Sequence, residues 1–217
     1  MLLSDLYVVS LILSDFEENA WVVRLRDKHE CVVIDPGMDP ASLIDYLQRQ
    51  HLAPKAILIT HGHWDHIGGI ADMKKIWPNL TVYIGEKEQY KLTDPLGNLS
   101  AMLGRELTAP DADHALTDGE EFEVAGIPFK TVLLPGHSCG HVFYLVQDED
   151  GQSVAFVGDI IFSGSVGRSD FPDGDAKALI NGIREKILVL PEQTVLYPGH
   201  GPKTTVRIEK ASNPWLR

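Results

Sequence analysis

Four apolar stretches of this chain each lead directly into a turn that carries a histidine or an aspartate. Each stretch has the length and the β-branched residues of a buried strand. The turns that follow hold the run T-H-G-H-W-D-H at 60–66, then His137, Asp159 and His200. Glycine stands beside or near each of these residues, and a backbone without a side chain can approach a buried site closely. The four strand ends therefore predict one edge of a sheet at which imidazoles and carboxylates meet.

Seven side chains at these strand ends form a candidate ligand set that is large enough for two adjacent metal ions. They are His61, His63, Asp65, His66, His137, Asp159 and His200. Imidazole nitrogen and carboxylate oxygen suit zinc, iron and manganese, and we expect zinc before the other two. A structural role rarely requires four such side chains within the six positions 61–66. Because no set of thiolates accompanies them, the pattern disfavours a purely structural zinc.

The remaining candidates are single residues whose role depends on context. His137 and His200 share the prefix Pro-Gly-His, which supports both as ligands. Asp159 could instead cap a helix or a turn, and Asp35, in Asp-Pro-Gly, is either a turn residue or a carboxylate that orients a ligand. His141 is expected to be packed and hydrogen bonded. Three other histidines are expected to be ordinary hydrogen-bonded residues: His29, His51 and His114.

The apolar runs predict a chain in which strands and helices are mixed. Nine runs have strand length and β-branched residues: 6–13, 21–25, 31–34, 56–59, 81–84, 129–134, 142–146, 154–157 and 194–197. One helix is predicted to begin with Asp39 as N-cap and Pro40 in its first turn. A second is predicted over about 67–77, before Pro78, and a third after Asp175. Elements mixed through both halves predict layers of sheet covered by helices.

Length and composition describe an average globular protein. The 217 residues are 44% hydrophobic and 23% charged, and no linker divides them, so we expect a single domain over 1–217. The irregular stretch 94–118 is too long for a plain connection, which predicts a lid or a binding loop. The net charge of −12 comes without a cluster of Lys and Arg. This argues against nucleic acid as a partner.

The sequence offers no membrane or export signal. The apolar start 1–13 is interrupted by Asp5 and lacks a positively charged beginning, so it is better interpreted as a first strand. Cys31 and Cys139 lie far apart, which predicts free thiols in a reducing compartment. We therefore expect a cytoplasmic protein, as a monomer or a small homo-oligomer. Cys139 is expected to be an inert small side chain.

The H-x-H-x-D-H run, the two later histidines and Asp159 resemble the metallo-β-lactamase superfamily over nearly the whole chain. The stretches 135–141, 158–172 and 198–202, with Asn-Pro-Trp-Leu at 213–216, resemble the short, single-domain glyoxalase II enzymes, which are hydroxyacylglutathione hydrolases. The resemblance implies an α/β (α+β) fold. More specifically, it implies an αββα sandwich, in which two mixed β-sheets pack face to face with helices on the outer faces and the site lies at one edge of both sheets.

The resemblance also assigns roles to the seven candidate ligands. It implies His61, His63 and His137 on one metal, Asp65, His66 and His200 on the other, and Asp159 bridging the two. A hydroxide shared by two divalent metal ions would then be the nucleophile, and no protein side chain would attack the substrate. Besides water, Asp65 is the side chain that could transfer a proton. A thiolate, whose conjugate acid has a pKa of about 8.5, leaves without a strong acid. The expected substrate is therefore a thioester, such as S-lactoylglutathione, a glutathione conjugate.

Other functions on the same fold stay open. A persulfide dioxygenase would use one iron, held by the residues matching His61, His137 and Asp159, and such enzymes resemble the chain at 167–171. Cleavage of a β-lactam or a lactone is a further possibility, as is a metal-binding module without activity. Trp64 and the loops 94–118 and 163–171 are expected to form the pocket walls. Arg168 is expected either to pair with a carboxylate of the site or to contact an anionic substrate.

Overall fold

The structure is a computed structural model, and it describes residues 3–217. The first sheet has six strands in the order β1 to β6: β1 (Leu6–Leu13), β2 (Glu18–Leu25), β3 (Glu30–Ile34), β4 (Ala53–Ile59), β5 (Thr81–Gly85) and β6 (His114–Leu116). Strands β1 to β3 are antiparallel, and β3 to β6 are parallel. The sheet is therefore mixed, as predicted.

The second sheet also has six strands, in the order β14-β13-β10-β9-β8-β7. They are β7 (Glu121–Val124), β8 (Ile127–Leu133), β9 (Val142–Gln147), β10 (Ser153–Gly158), β13 (Val195–Pro198) and β14 (Thr204–Thr205). Only the pair β10 and β13 is parallel among the strand pairs described in this sheet. A short hairpin joins β11 (Ile161–Phe162) to β12 (Ser165–Val166).

Five α-helices are found in residues 3–217: α1 (Ala41–Arg49), α2 (Trp64–Ile67), α3 (Ile70–Ile76), α4 (Ala176–Gly182) and α5 (Val206–Ser212). A π-helical turn, Ile183–Ile187, continues α4. Short 3-10 helices lie at Leu3–Asp5, Glu86–Leu92, Ser100–Leu103 and Pro214–Leu216. None of the helices described is long and apolar enough to cross a bilayer.

Three apolar layers hold the two sheets and the helices together. Because side chains alternate across a strand, Ala56 and Leu58 of β4 point into the layer between the sheets. Ile57 and Ile59 point the other way, into the layer shared with α1 and α3. The strand β10 alternates in the same manner between the inter-sheet layer and a third layer, which is shared with α4 and α5. The predicted αββα sandwich is confirmed.

All nine predicted strands are present, but two helix predictions were wrong in detail. Helix α1 begins at Ala41, because Asp39 has a φ of 58°, outside the extended conformation that an N-cap residue adopts. The helix predicted over 67–77 is two helices. They separate at Gly69, whose N–H leaves the helical pattern and donates to the Gly37 carbonyl at 2.6 Å. At Asp175 the predicted helix start is confirmed, since its side chain accepts from the Ala178 N–H.

The stretch 94–118 is more ordered than a plain loop. It contains the 3-10 helix Ser100–Leu103, and its end forms β6, the edge strand of the first sheet. The Asn98 side chain, which is fully buried, fixes this stretch by donating to the carbonyls of Lys91 and Leu107 at 3.0 and 2.9 Å.

The single-domain organisation over 1–217 stays a prediction.

Candidate metal centre

The candidate ligands lie where the predicted strands end. His61 and His63 follow β4, and α2 begins immediately afterwards with Trp64, so Asp65 and His66 lie in its single turn. The other three lie in turns that follow β8, β10 and β13: His137, Asp159 and His200. The turn after β10 requires a glycine. Gly158 has a φ of +47°, and a Cβ there would lie 2.4 Å from the Thr60 hydroxyl.

Three buried histidines form the first group of converging nitrogens. Nε2 of His137 lies 3.2 Å from Nε2 of His61 and 3.0 Å from Nδ1 of His63. Nitrogens bound to one tetrahedral metal at about 2.0–2.1 Å are separated by roughly 3.3 Å, which is close to the spacing here. Burial lowers the pKa of all three imidazoles. Burial thus favours the neutral form of these imidazoles, which is the form that binds a metal.

The second group combines two histidines with one carboxylate. Oδ2 of Asp65 lies 3.5 Å from Nε2 of His200 and 3.9 Å from Nε2 of His66. Burial disfavours a charge on His66, but Asp65, Asp159 and Asp35 outweigh it and raise the pKa of this imidazole well above its ordinary value. The three carboxylates thus strongly favour a positive charge beside His66, either a proton or a bound cation.

Asp159 lies between the two groups. Its Oδ2 is 3.6 Å from Nε2 of His137, in the first group, and 3.7 Å from Nε2 of His200, in the second. Its Oδ1 is 3.6 Å from Nε2 of His66. Burial raises the pKa of this carboxyl, yet His66, His200 and His137 lower it far below its ordinary range. Asp159 is therefore an anion that faces both groups.

Buried polar atoms without hydrogen-bond partners test whether metal ions fit this site. Nε2 of His66 and Oδ1 of Asp159 are both buried, and neither has a hydrogen-bond partner. Buried polar atoms are almost always satisfied, because an unpaired one costs about 1–3 kcal/mol. A cation between the donors would satisfy both atoms. The donor set of five imidazoles and two carboxylates therefore fits a pair of divalent metal ions.

Hydrogen bonds on the far side of the imidazoles fix their orientation. Nδ1 of His66 donates to Oδ2 of Asp35 at 3.0 Å. Nδ1 of His137 donates to the Arg168 carbonyl at 2.7 Å, and Nδ1 of His200 lies 3.1 Å from the Phe16 carbonyl. An N–H on the outer nitrogen leaves the lone pair of the inner nitrogen facing the site. Asp35, which is 1% exposed, thus has the geometry of a carboxylate that orients a ligand.

Of the remaining histidines, His141 has the role that the sequence predicts. His141 is fully buried, its Nε2 accepts from the Asp159 N–H at 3.1 Å, and its ring stacks on His61. This confirms it as a packed, hydrogen-bonded residue. The three others are exposed: His29, His51 and His114.

Glu18, which no sequence pattern indicates, lies fully buried behind the second group. Its Oε1 is 3.9 Å from Nδ1 of His66, and neither carboxyl oxygen has a hydrogen-bond partner. Burial is the main cause that raises the pKa of this carboxyl well above its ordinary value. Glu18 begins β2 in an unremarkable Glu-Asn-Ala sequence, so no local pattern indicates its position.

A cavity of about 830 Å³ opens onto the two groups. Its apolar lining residues are Phe16, Trp64, Leu99, Met102, Leu103, Phe162, Val166, Phe171 and Pro172. Trp64 and both loops expected to form walls thus border the cavity. The exposed ring of Phe16 meets Trp64 edge to face, with centroids 4.4 Å apart. Apolar walls of this kind suit the acyl chain or the carbon skeleton of a small molecule.

Arg168 does not pair with a carboxylate of the site, which was one of its two expected roles. Its guanidinium pairs with Asp170 at 2.8 and 2.9 Å and lies over the Phe171 ring, so it contacts no carboxylate among the seven candidate ligands. The Arg168 carbonyl, by contrast, accepts from Nδ1 of His137. The side chain lines the mouth of the cavity and is 63% exposed, a position that suits contact with an anionic substrate.

Cys139 is expected to react slowly with thiol reagents. Burial, followed by the neighbouring Glu88, raises the pKa of its thiol to about 11. Because the thiolate is the nucleophile, alkylation by iodoacetamide at pH 8 should be at least about tenfold slower than that of a free thiol with a pKa of about 8.5. Mass spectrometry of the labelled peptide, with C139S as the control, measures this rate. Labelling of Cys139 as fast as that of free cysteine would contradict the prediction.

Comparison with known proteins identifies the family. The family profile described as the metallo-beta-lactamase superfamily matches residues 13–200. The hydroxyacylglutathione hydrolase GloC of Haemophilus influenzae is 35% identical over 212 residues, which cover 93% of each protein. The crystal structure of BLEG-1, a B3 metallo-beta-lactamase, is 40% identical with a TM-score of 0.91, over 97% of this chain and 99% of that one.

A second solved structure has the same fold and holds metal. The di-iron-bound form of TTHA1623 is 36% identical with a TM-score of 0.80, and the match covers 96% of this chain and all of that one. The fold, the sequence profile and these relatives agree over nearly the full length. The chain belongs to the metallo-beta-lactamase superfamily.

Proposed function

We propose that the chain is a dinuclear metal-dependent hydrolase that cleaves a thioester, such as S-lactoylglutathione, to a carboxylic acid and a thiol. The proposal rests mainly on the position of Asp159. Its carboxylate lies within 3.7 Å of a histidine nitrogen in each of the two ligand groups. Both groups border one cavity with apolar walls. The relative GloC, a hydroxyacylglutathione hydrolase, supports the choice of substrate.

The proposed ligands are three histidines for one zinc ion and a mixed group for the other. His61, His63 and His137 would hold the first, Asp65, His66 and His200 the second, with Asp159 shared. When bound, two such ions would supply Lewis acidity, which would favour the deprotonation of water near neutral pH and polarise an acyl carbonyl. Iron and manganese have compatible ligand preferences, and the relative in di-iron form makes iron the first alternative.

The side chains around the proposed metal positions would transfer a proton, line the substrate pocket and orient the ligands. Asp65 is partly exposed to the cavity, so it can accept the proton that a nucleophilic water releases. Trp64 and Phe16 form an apolar wall on one side of the cavity. The outer hydrogen bonds of His66, His137 and His200 keep their rings in place while charge develops at the carbonyl.

The cavity favours a leaving group that needs no proton. No lysine and no tyrosine is found among the residues that line it. A thiolate leaves unprotonated because its conjugate acid has a pKa of about 8.5, whereas the nitrogen of an amide or a lactam must receive a proton. This chemistry supports a thioester ahead of a β-lactam.

Hydrolysis of a β-lactam is the second candidate, because BLEG-1, at 40% identity, is a B3 metallo-beta-lactamase. Steady-state assays on S-lactoylglutathione, a cephalosporin and an acyl-homoserine lactone rank the hydrolytic candidates. We expect kcat/KM for the thioester to exceed the others by at least about 100-fold, a difference of roughly 2.7 kcal/mol in transition-state stabilisation. A negligible rate on the thioester would remove the proposal. Oxygen uptake on glutathione persulfide, with one iron per chain, would favour the dioxygenase instead.

Replacing Arg168 with alanine is expected to raise KM for S-lactoylglutathione by about threefold to tenfold, with little change in kcat. Arg168 is the only lysine or arginine among the residues that line the cavity, and glutathione carries two carboxylates. The matched control is a neutral thioester, S-acetyl-N-acetylcysteamine, whose KM should not change. D170A, which frees the guanidinium, should lower KM for the anionic substrate. An R168A enzyme with unchanged KM on both substrates would contradict a role in anion binding.

A further inference from the structure

A pair of opposite charges lies buried behind the three-histidine group. Glu88 and Lys91 belong to the 3-10 helix Glu86–Leu92, which follows β5, and both side chains are fully buried. Their carboxylate and ammonium groups are 3.2 Å apart. Neither residue lines the cavity, and neither is among the candidate ligands. Removing two charges from water is costly, so hydrophobic residues of similar size would often stabilise a protein equally well or better.

The Glu88 carboxylate joins the two loops that carry the three histidines. Oε2 accepts from the Gly62 N–H at 2.8 Å, and Gly62 stands between His61 and His63. Oε1 accepts from the Gly140 N–H at 2.7 Å and from the Ser138 hydroxyl. Ser138 directly follows His137 in the chain. One carboxylate thus receives hydrogen bonds from both sides of the first ligand group.

Lys91 extends the connection to a third segment. Its Nζ donates to Oγ of Ser138 at 3.1 Å and to Oδ2 of Asp173 at 2.5 Å. The same Asp173 oxygen accepts from the Cys139 N–H at 3.1 Å. Asp173 lies in the loop between β12 and α4, the same loop in which the Arg168 carbonyl accepts from His137. The loops after β4, β8 and β12 are therefore held by a single ionic network.

The helix also packs tightly against the first histidine loop. A Cβ on Gly62 would lie 2.6 Å from Cβ of Lys91, so the loop backbone rests directly on this side chain. The N–H groups of Gly62 and Gly140 need acceptors, because an unpaired buried N–H is costly. The two oxygens of the Glu88 carboxylate accept from these two N–H groups. An apolar side chain of equal size would fill the space without fixing the distance between the loops.

We propose that Glu88 and Lys91 are positioning residues, which hold His61, His63 and His137 at the spacing that a metal ion requires before the ion arrives. The second ligand group has its own supports, Asp35 behind His66 and the Phe16 carbonyl behind His200. Asp35 also accepts from the Thr60 hydroxyl, which lies 3.1 Å from Nδ1 of His61. No hydrogen bond or ion pair described connects the network to either of these supports. Loss of the network should therefore weaken one metal position and spare the other.

Zinc binding to the full chain, measured at 25 °C with a chromophoric competitor, tests this positioning role. In E88Q and K91M we expect one of the two zinc dissociation constants to rise about 10-fold to 100-fold, while the other stays within about threefold of wild type. The E88Q side chain would place an amide N–H against one of the two backbone donors. The matched control is K74M, which breaks the Lys74–Asp113 ion pair of 2.9 Å, involves none of the seven candidate ligands and should leave both constants unchanged.

Hydrogen exchange supplies a readout that does not depend on metal or activity. In E88Q the amides of Gly62 and Gly140 should exchange faster than in wild type, and those of the K74M control should not. S138A removes one donor from the network and keeps the ion pair, so it decides the question if the charge variants do not fold. For S138A we expect the same zinc constant to rise, by a smaller factor. Unchanged constants in the variants that fold, or equal weakening of both positions, would overturn the proposal.

Discussion

Replacing Asp159 with alanine is expected to remove both metal ions and to lower kcat/KM on the thioester by about 10³-fold or more. Its two carboxyl oxygens lie 3.6 to 3.7 Å from nitrogens of His66, His137 and His200, so the carboxylate faces both ligand groups. Without it, each group loses its anionic neighbour, and the repulsion between two divalent cations is no longer offset. Metal content after gel filtration, measured by mass spectrometry, gives the result directly.

The matched variant for Asp159 is H200A. His200 belongs to the second group alone, where Asp65 and His66 remain, so this variant should keep about one metal ion per chain at the three-histidine group. Circular dichroism should show native secondary structure in both variants, since neither side chain belongs to an apolar layer. Equal metal loss in D159A and H200A would contradict the bridging role of Asp159.

Removal of the metal ions with a chelator is expected to abolish hydrolysis and to lower the Tm by about 10 °C for each site emptied. A ligand at 1,000 times its Kd stabilises the folded state by about 4.1 kcal/mol, and each kcal/mol corresponds to roughly 2–4 °C for a chain of this size. Emptying the site also leaves Oδ1 of Asp159 and Nε2 of His66 buried without partners. Differential scanning calorimetry and a thioester assay on the same samples measure both effects.

Addition of zinc should restore both the Tm and the rate, which separates metal loss from irreversible unfolding. H200A offers an internal comparison, because a chain with one site to empty should lose about half as much Tm on chelation. A chelated protein that keeps its Tm and its rate, at a metal content below about one-tenth of an ion per chain, would show that metals are not required.

The fold could be predicted because its signals are local and repeated. Each predicted strand is marked by an apolar run, and β4 delivers His61 directly at its end. The convergence of the seven side chains follows from strands that end at the same edge of the two sheets. That these residues bind metal stays a prediction, as do the zinc identity, the cytoplasmic location and the oligomeric state.

The supports of the site could not be predicted, because each depends on a contact across the chain. Glu88 reaches Ser138, which lies 50 positions later, and Glu18 reaches His66 from another strand. In the sequence both are ordinary acidic residues near the start of an element. For Asp39 the local sequence pattern is present but misleading. Its sequence context indicates an N-cap, but the turn from β3 places it in the left-handed conformation.

The most direct test is a crystal structure of the purified protein with anomalous scattering recorded at the zinc, iron and manganese edges. Two peaks are expected in each chain, one among His61, His63 and His137 and one among Asp65, His66 and His200, with Asp159 in contact with both. A single peak held by His61, His137 and Asp159, or no peak at this edge of the sheets, would contradict a dinuclear centre.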